Sequence, residues 1–350
     1  MSTFYKLSIK EITRETKDAV SIVFDIPEEV QPNFKFIPGQ YITIQKKMDG
    51  AVLRRAYSIC SSPNTQELRV AIKAVEKGTF SVYANNILQV GDVLEVSIPE
   101  GKFILNTSKN NAKNYLAFVA GSGITPVLSM IKSVLETEKE STFTIVYGNK
   151  SSEQTIFKKQ LDTLAIDFKN QLKLHYVFSQ KVSDTAFFGR INKNIVDEII
   201  DQKYTEISFD TYFLCGPETM INLVKESLHK KGVGESKIMF ELFSSTSVKE
   251  NVSESLEGNS KITILLDEEE TTLEMRKDQI ILNVALENNL DAPYSCQGGI
   301  CSSCLAKVVE GAAIMEKNTI LDTSEIEEGL ILTCQAHPTT SIIKIDFDDV

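Results

Sequence analysis

"YLAFVAGSGITPVLSMIKSVLETEK", Tyr115–Lys139, joins six consecutive residues dominated by apolar side chains to a glycine-rich turn, and the turn to a segment with apolar positions at helical spacing. A short apolar run bounded by glycine fits a strand buried on both faces, and "VLSMIKSVLETEK" reads as an amphipathic helix. Strand, Gly-x-Gly turn and helix in that order make the repeating unit of a parallel α/β sheet. The alternation continues as strand "FTIVYGN", helix "EQTIFKKQLDTLA", strand "LKLHYVFS", helix "NKNIVDEIIDQ", strand "TYFLCG" and helix "ETMINLVKESLHKKG". Residues 111–243 are therefore expected to form a parallel-sheet domain.

Residues 1–110 have a different texture. "FYKLSIKEIT", "AVSIVFDI", "QYITIQKKM", "RRAYSIC", "ELRVAIKAVE" and "DVLEVSIP" are short, β-branched and separated by turn residues, which predicts a small antiparallel β-barrel. Residues 244–260, "SSTSVKENVSESLEGNS", are almost devoid of apolar side chains and read as a linker. A third domain, residues 261–350, opens with "KITILLD". At 350 residues a multidomain chain is the natural expectation. No run of 18 or more apolar residues occurs and the N-terminus lacks the apolar core of a signal peptide, so a cytoplasmic protein with no membrane role is expected.

Four of the six cysteines fall in the third domain: Cys296, Cys301 and Cys304 within "SCQGGICSSC", and Cys334 in "LTCQAHP". The C-x4-C-x2-C spacing with a distant fourth cysteine is that of plant-type 2Fe-2S clusters, whereas zinc sites favour paired C-x2-C knuckles, of which there is one here. Gly298 and Gly299 would let backbone N–H groups approach the sulfurs. A structural zinc or free thiols are the alternatives. The histidines, His175, His229 and His337, have no partner at metal-ligand spacing and read as structural.

Two motifs in the barrel segment point to a phosphate-bearing cofactor. In "RRAYSIC", Arg55, Tyr57 and Ser58 are read as a cation, an aromatic face and a hydroxyl on one side of a strand. "KGTFS", Lys77–Ser81, opens a helix whose N-terminus suits a pyrophosphate. In the next domain the Gly-x-Gly of "VAGSGITP" lies between strand and helix, the context of a phosphate cradle, and "FLCGPETM" ends a later strand at the same sheet edge.

"RAYS…GTFS…GKF" resembles the flavin barrel of the ferredoxin-NADP reductase superfamily, and "DAPYSCQGGICSSC…LTCQAH" resembles plant-type ferredoxin domains, so that the third domain is expected to be an α+β, β-grasp fold. The resemblance implies FAD held by Arg55, Ala56, Tyr57, Ser58, Lys73, Gly78, Thr79, Phe80 and Ser81. It implies NADPH, with NADH possible, at Gly121, Gly123, Thr125, Pro126, Lys150, Cys215, Gly216, Pro217 and Met220, with Glu241 and Phe243 nearby. It implies a 2Fe-2S cluster on Cys296, Cys301, Cys304 and Cys334. No side chain need act as acid or base, because a nicotinamide gives two electrons together, a cluster takes one, and a flavin can do both. In the order found here these modules resemble reductases of multicomponent oxygenases, which implies a separate di-iron oxygenase as acceptor. Reductases of other hydroxylases, desaturases or dioxygenases share the motifs. A redox module that never oxidises nicotinamide is the reading from another class, against which the intact "GSGITP" and "CGPETM" stand.

The net charge of −11 argues against nucleic acid. All of the excess lies in residues 261–350, with 6 Lys and Arg against 17 Asp and Glu, so this domain is expected either to be solubilised by its surface or to dock on a basic face.

Overall fold

The structure, a computed structural model, describes residues 4–48, 50–244 and 256–350. Strands β1 (Phe4–Thr16), β2 (Ala19–Asp25), β3 (Tyr41–Met48), β4 (Ala51–Ser58), β5 (Leu68–Lys73) and β6 (Val93–Ser97) form one sheet in the order β4-β3-β6-β1-β2-β5. Past the end of β4, Ile59 bridges Val70 and the Cys60 N–H donates to the Arg69 carbonyl at 2.8 Å. The chain just past one edge strand thus meets the other edge strand, which draws the sheet toward a closed barrel. Alternate residues fill the interior: Ile42 and Ile44, Val70 and Ile72, Leu94 and Val96. Helix α1 (Thr79–Asn86) adds Phe80 and Ala84, four apart and so on one face, to the same core.

The second sheet contains β7 (Asn114–Ala120), β8 (Thr142–Asn149), β9 (Leu172–Phe178), β10 (Phe187–Phe188), β11 (Thr211–Pro217) and β12 (Ile238–Ser244), ordered β10-β9-β8-β7-β11-β12 with parallel pairing. Helices α2 (Ile124–Thr137), α3 (Lys158–Asp167), α4 (Lys193–Asp197) and α5 (Glu218–Lys230) connect the strands. The strand order reverses at β7, so the carboxyl ends of β7 and β11 flank the crevice where ligands bind in such sheets.

Helix α2 is not simply amphipathic. Of its residues only Glu136 is exposed. The face turned from the sheet is covered by the barrel: Ser129 Oγ donates to the Ser61 carbonyl at 2.6 Å and Lys132 Nζ to the Cys60 carbonyl at 3.0 Å. Polar side chains that suggest a solvated stripe instead satisfy buried backbone carbonyls. Cys60, Phe103 and Leu105 accordingly share one core with Val127, Met130 and Ile131, and Tyr5–Leu53 with Tyr57–Ser244 form one compact unit. Helix α3 starts at Lys158 rather than Glu153, because Phe157 takes a left-handed conformation at φ 59° after a short 3-10 turn. Helix α4 ends at Asp197 and continues as a π-helical turn, Glu198–Lys203. Strands β10 and β12 had no counterpart in the sequence reading.

The other compact unit contains the C-terminal residues with Phe4 and Arg54–Ala56. Its elements are β13 (Asn259–Leu266), β14 (Glu269–Arg276), α6 (Ile281–Glu287), β15 (Leu305–Glu310), β16 (Ala313–Met315), α7 (Thr323–Glu327), β17 (Leu330–Leu332), β18 (Ala336–Pro338) and β19 (Ile342–Asp346). The sheet runs β14-β13-β19-β15-β17, with β16 and β18 paired separately. Ile281, Leu282, Val284 and Ala285 of α6 join Ile262, Ile264, Ile343 and Ile345 of the sheet in one core. Of the expected linker, residues 245–255 lie outside the described residues. No described helix is long and apolar enough to cross a membrane.

Candidate cofactor and cluster sites

The antiparallel register of β15 on β17 pairs Leu305 with Leu332, which sets Cys304 beside Thr333 and Cys334. Thr333 holds the two arms together: its N–H donates to the Cys304 carbonyl at 3.1 Å and its Oγ1 at 2.9 Å. The first cysteine arrives on a tight loop in which Gln297 and Gly299 adopt φ values of 51° and 68°. A Cβ at Gly299 would lie 2.9 Å from the Lys317 carbonyl oxygen, so only glycine fits both that turn and that contact. The Gly298 N–H reaches Cys296 Sγ at 3.3 Å, and Cys296 Sγ is 3.1 Å from Cys301 Sγ.

The four sulfurs form a run, with Cys301 against Cys296, Cys296 against Cys334, and Cys334 against Cys304. Hydrogen bonds from the Cys301 and Cys334 thiols hold Cys296 well below the usual thiol range, toward the thiolate that ligates metal. Among the described residues no three His, Cys, Asp or Glu side chains converge as the ligands of one ion would. Four thiols along one run supply the two thiolates that each iron of a two-iron core takes. None of the four is in a disulfide.

On β4, Arg55 is exposed, Ala56 and Tyr57 are half-buried and Ser58 is buried. Adjacent strand residues face opposite ways, so Arg55 and Tyr57 share a side and Ser58 does not. The Tyr57 and Phe80 rings lie 5.9 Å apart and Phe80 and Tyr83 6.1 Å apart, an aromatic wall beside the N-terminus of α1. Gly78 caps that helix without a side-chain bond, which leaves amides of its first turn to a ligand; Thr79 is exposed. Ser81 Oγ instead accepts from the Val75 N–H at 3.3 Å, and Lys73 Nζ lies 3.9 Å from Asp18. The Arg55 guanidinium donates to the Arg54 carbonyl at 2.7 Å.

The Gly-x-Gly turn and the Cys-Gly-Pro segment meet at the carboxyl ends of β7 and β11. Tyr147 Oη donates to the Gly121 carbonyl at 2.9 Å and Thr125 Oγ1 to the Ser122 carbonyl at 3.1 Å, so both hydroxyls brace the turn; Pro126 is buried behind it. Gly123 packs directly on the Cys215 backbone. Gly216 is buried over Met220, and Pro217 caps α5. Cys215 pairs with Glu241 across β11 and β12. Glu241 is half-buried, with its carboxyl accepting from buried Ser58 Oγ at 3.3 Å. Burial pushes that carboxyl up to about 8 despite the serine bond, and burial with the neighbouring Glu241 raises the Cys215 thiol. Phe243 is half-buried further along β12.

At the far side of the same edge, Asn149, Phe178 and Phe188 are in line across β8, β9 and β10. Lys150 and Arg190, both exposed, follow the first and third of these strands. Lys181 is paired with Glu153 at 2.5 Å. The sequence pattern does not single out Arg190, because a two-residue strand has no periodicity; the Gly before it, punctuating "FFGR", is the available signal.

Residues 6–104 match the oxidoreductase FAD-binding domain, 118–226 the oxidoreductase NAD-binding domain and 264–339 the 2Fe-2S iron-sulfur cluster binding domain. The chain is 38% identical to a 1,2-phenylacetyl-CoA epoxidase subunit of Escherichia coli over 99% of each chain. It is 33% identical to the ferredoxin reductase component of 3-ketosteroid-9-alpha-monooxygenase of Rhodococcus rhodochrous, over 97% of this chain and 96% of that one. Among solved structures, phthalate dioxygenase reductase has the same fold, with a TM-score of 0.63, 23% identity and 98% of each chain covered.

Proposed function

Since the chain belongs to the ferredoxin-NADP reductase family with a C-terminal 2Fe-2S domain, as an NAD(P)H-dependent oxidoreductase serving a partner oxygenase, we propose that its acceptor is a di-iron oxygenase acting on phenylacetyl-CoA. The pathway would be phenylacetate breakdown. End-to-end likeness to the Escherichia coli epoxidase subunit is the observation that carries this choice of partner. Six cysteines outside any disulfide fit the reducing cytoplasm.

When bound, FAD supplies the conversion between paired and single electrons, and the cluster passes single electrons on. The chain's own residues bind and orient. Arg55 and the first-turn amides of α1 hold the flavin phosphates, while Tyr57 offers its ring to the flat system, backed by the buried Phe80. Gly121 and Gly123 open the turn to a dinucleotide backbone, and Cys215, Gly216 and Pro217 shape the adjacent crevice for the nicotinamide. Glu241 keeps its proton at neutral pH, so a neutral carboxyl and not a carboxylate lies beside Ser58 and Cys215. Cys296, Cys301, Cys304 and Cys334 ligate the cluster. Lys150 and Arg190 attract the 2'-phosphate, which makes NADPH the preferred donor.

Anaerobic mixing with NADPH tests the chain of transfer: flavin absorbance should bleach, followed by the paramagnetic signal of a reduced cluster. Adding the oxygenase component of phenylacetyl-CoA epoxidase and its substrate should then give product. Bleaching and cluster reduction without product, while another oxygenase is supported, would leave the redox chain standing and overturn the proposed acceptor.

A further inference from the structure

The side-chain amide of Gln335 lies among three acceptors at the cluster site. Its Nε2 donates to the Cys334 carbonyl at 2.8 Å and to the Gln297 carbonyl at 3.2 Å, and reaches Cys334 Sγ at 3.8 Å. A flipped amide would press its oxygen against two carbonyl oxygens, so the surroundings fix the NH2 as the inward group. The backbone around it is equally constrained. The Gln335 carbonyl accepts from the Glu316 N–H at 2.8 Å, and a Cβ on Gly299 would lie 3.0 Å from Gln335 Cγ. Thr319 Oγ1 closes the same wall on the Gly299 carbonyl at 2.6 Å.

Gln335 is thus a side chain that joins the loop carrying the first three thiols to the arm carrying the fourth. Thr333 also ties the arms, but through the Cys304 carbonyl and away from Gln297. The two amide hydrogens are taken by the two carbonyls, so the Cys334 sulfur meets the positive end of the amide dipole, which favours the more negative state of a cluster that the sulfur ligates. Most of the site is buried, so such a fixed dipole is poorly screened.

We propose that Gln335 is a positioning residue of the cluster site: it clamps the Cys334 arm onto the Gln297 loop and, by holding the positive end of its amide dipole near the Cys334 sulfur, makes the cluster easier to reduce by one electron from the flavin. The proposal rests on the reading of Cys334 as a ligand. Gln335→Leu and Gln335→Met in the full chain remove the donor while keeping most of the volume, and the unbranched methionine fits best against Gly299. Both should bind iron and sulfide as the unmodified protein does, lose iron to a chelator several-fold faster, and show a lower midpoint potential in a redox titration followed by the cluster's paramagnetic signal. The one-electron equilibrium constant should fall about tenfold, ~59 mV. An unchanged midpoint potential in a variant that holds its cluster overturns the proposal. A Cys334→Ser variant that kept an intact cluster would instead overturn the ligand reading beneath it.

Discussion

A Cβ atom added to Gly123 would lie 2.4 Å from the carbonyl oxygen of Cys215 and 3.1 Å from its Sγ. The turn after β7 and the end of β11 are therefore interlocked with no room for a side chain, and the crevice between them depends on that contact. Gly123→Ala must displace backbone, at a cost of about 1–3 kcal/mol for overpacking. The expected result is a lowered unfolding midpoint together with a raised KM for the nicotinamide. Gly234→Ala is the control, since its φ is −70° and nothing lies within 4 Å of the added atom. Equal effects of the two substitutions would refute the interlock.

Glu241 yields a prediction with a definite sign. Its native carboxyl titrates near 8 against an ordinary value of 4.5, so between these values the folded chain holds a proton that the unfolded chain has lost. Stability must then fall as pH rises through that window. A glutamine at this position would mimic the protonated acid without titrating, so Glu241→Gln should gain stability relative to the unmodified protein as pH is raised from about 5 to about 8. Denaturation midpoints of both proteins across that range measure it. A difference independent of pH means that Glu241 is ionised throughout.

The two sheets were legible because burial on one or both faces writes itself into alternation and apolar runs, and the cysteine spacing was legible because three of the thiols share one loop. The Ser58 bond to Glu241 spans 183 positions and exists only through the fold. Sequence order suggested that Ser58 faces the same way as Tyr57, which the pleat forbids. Helix α2 carries Ser129, Lys132 and Ser133 at positions that look solvated, and only the barrel's backbone carbonyls explain the first two. Gln335 is an ordinary polar residue in sequence; its meaning comes from the loop that packs against it.

The four cysteines and the motifs from Tyr57 to Glu241 belong to different compact units, so they should fail separately. Cys304→Ser removes one thiolate from a site already tied by Thr333, and the cluster should be lost or unstable. Reduction of ferricyanide by NADPH drains the flavin directly and should stay within about twofold of normal, whereas transfer to cytochrome c should fall at least about tenfold, the equivalent of ~1.4 kcal/mol or more. Normal cluster absorbance in the variant would remove Cys304 from the ligand set.

The choice of nicotinamide turns on cations at one sheet edge. The resemblance implies Lys150 here, and Ser179, Gln180 and Lys181 follow the neighbouring strand β9. Lys181 is paired with Glu153, which leaves it a poorer partner for a phosphate. The segment after strand β10 supplies a guanidinium: the registers Asn149 with Phe178 and Phe178 with Phe188 put Lys150 and the Gly189-Arg190 step just beyond the same edge. Adjacent strands are ~4.8 Å apart, so two long side chains from the first and third strands can reach one phosphate between them. A planar guanidinium can grip it in two places and a lysine adds a point charge. NADPH should therefore be preferred over NADH by about tenfold in kcat/KM, close to 1.4 kcal/mol. Lys150→Ala and Arg190→Ala should each raise the KM for NADPH several-fold without changing kcat or the constants for NADH, the pattern of lost binding that is equal in ground and transition states. Lys181→Ala should do much less. If the unmodified protein prefers NADH, or if Arg190→Ala leaves the KM for NADPH unchanged, the 2'-phosphate is not read at this edge.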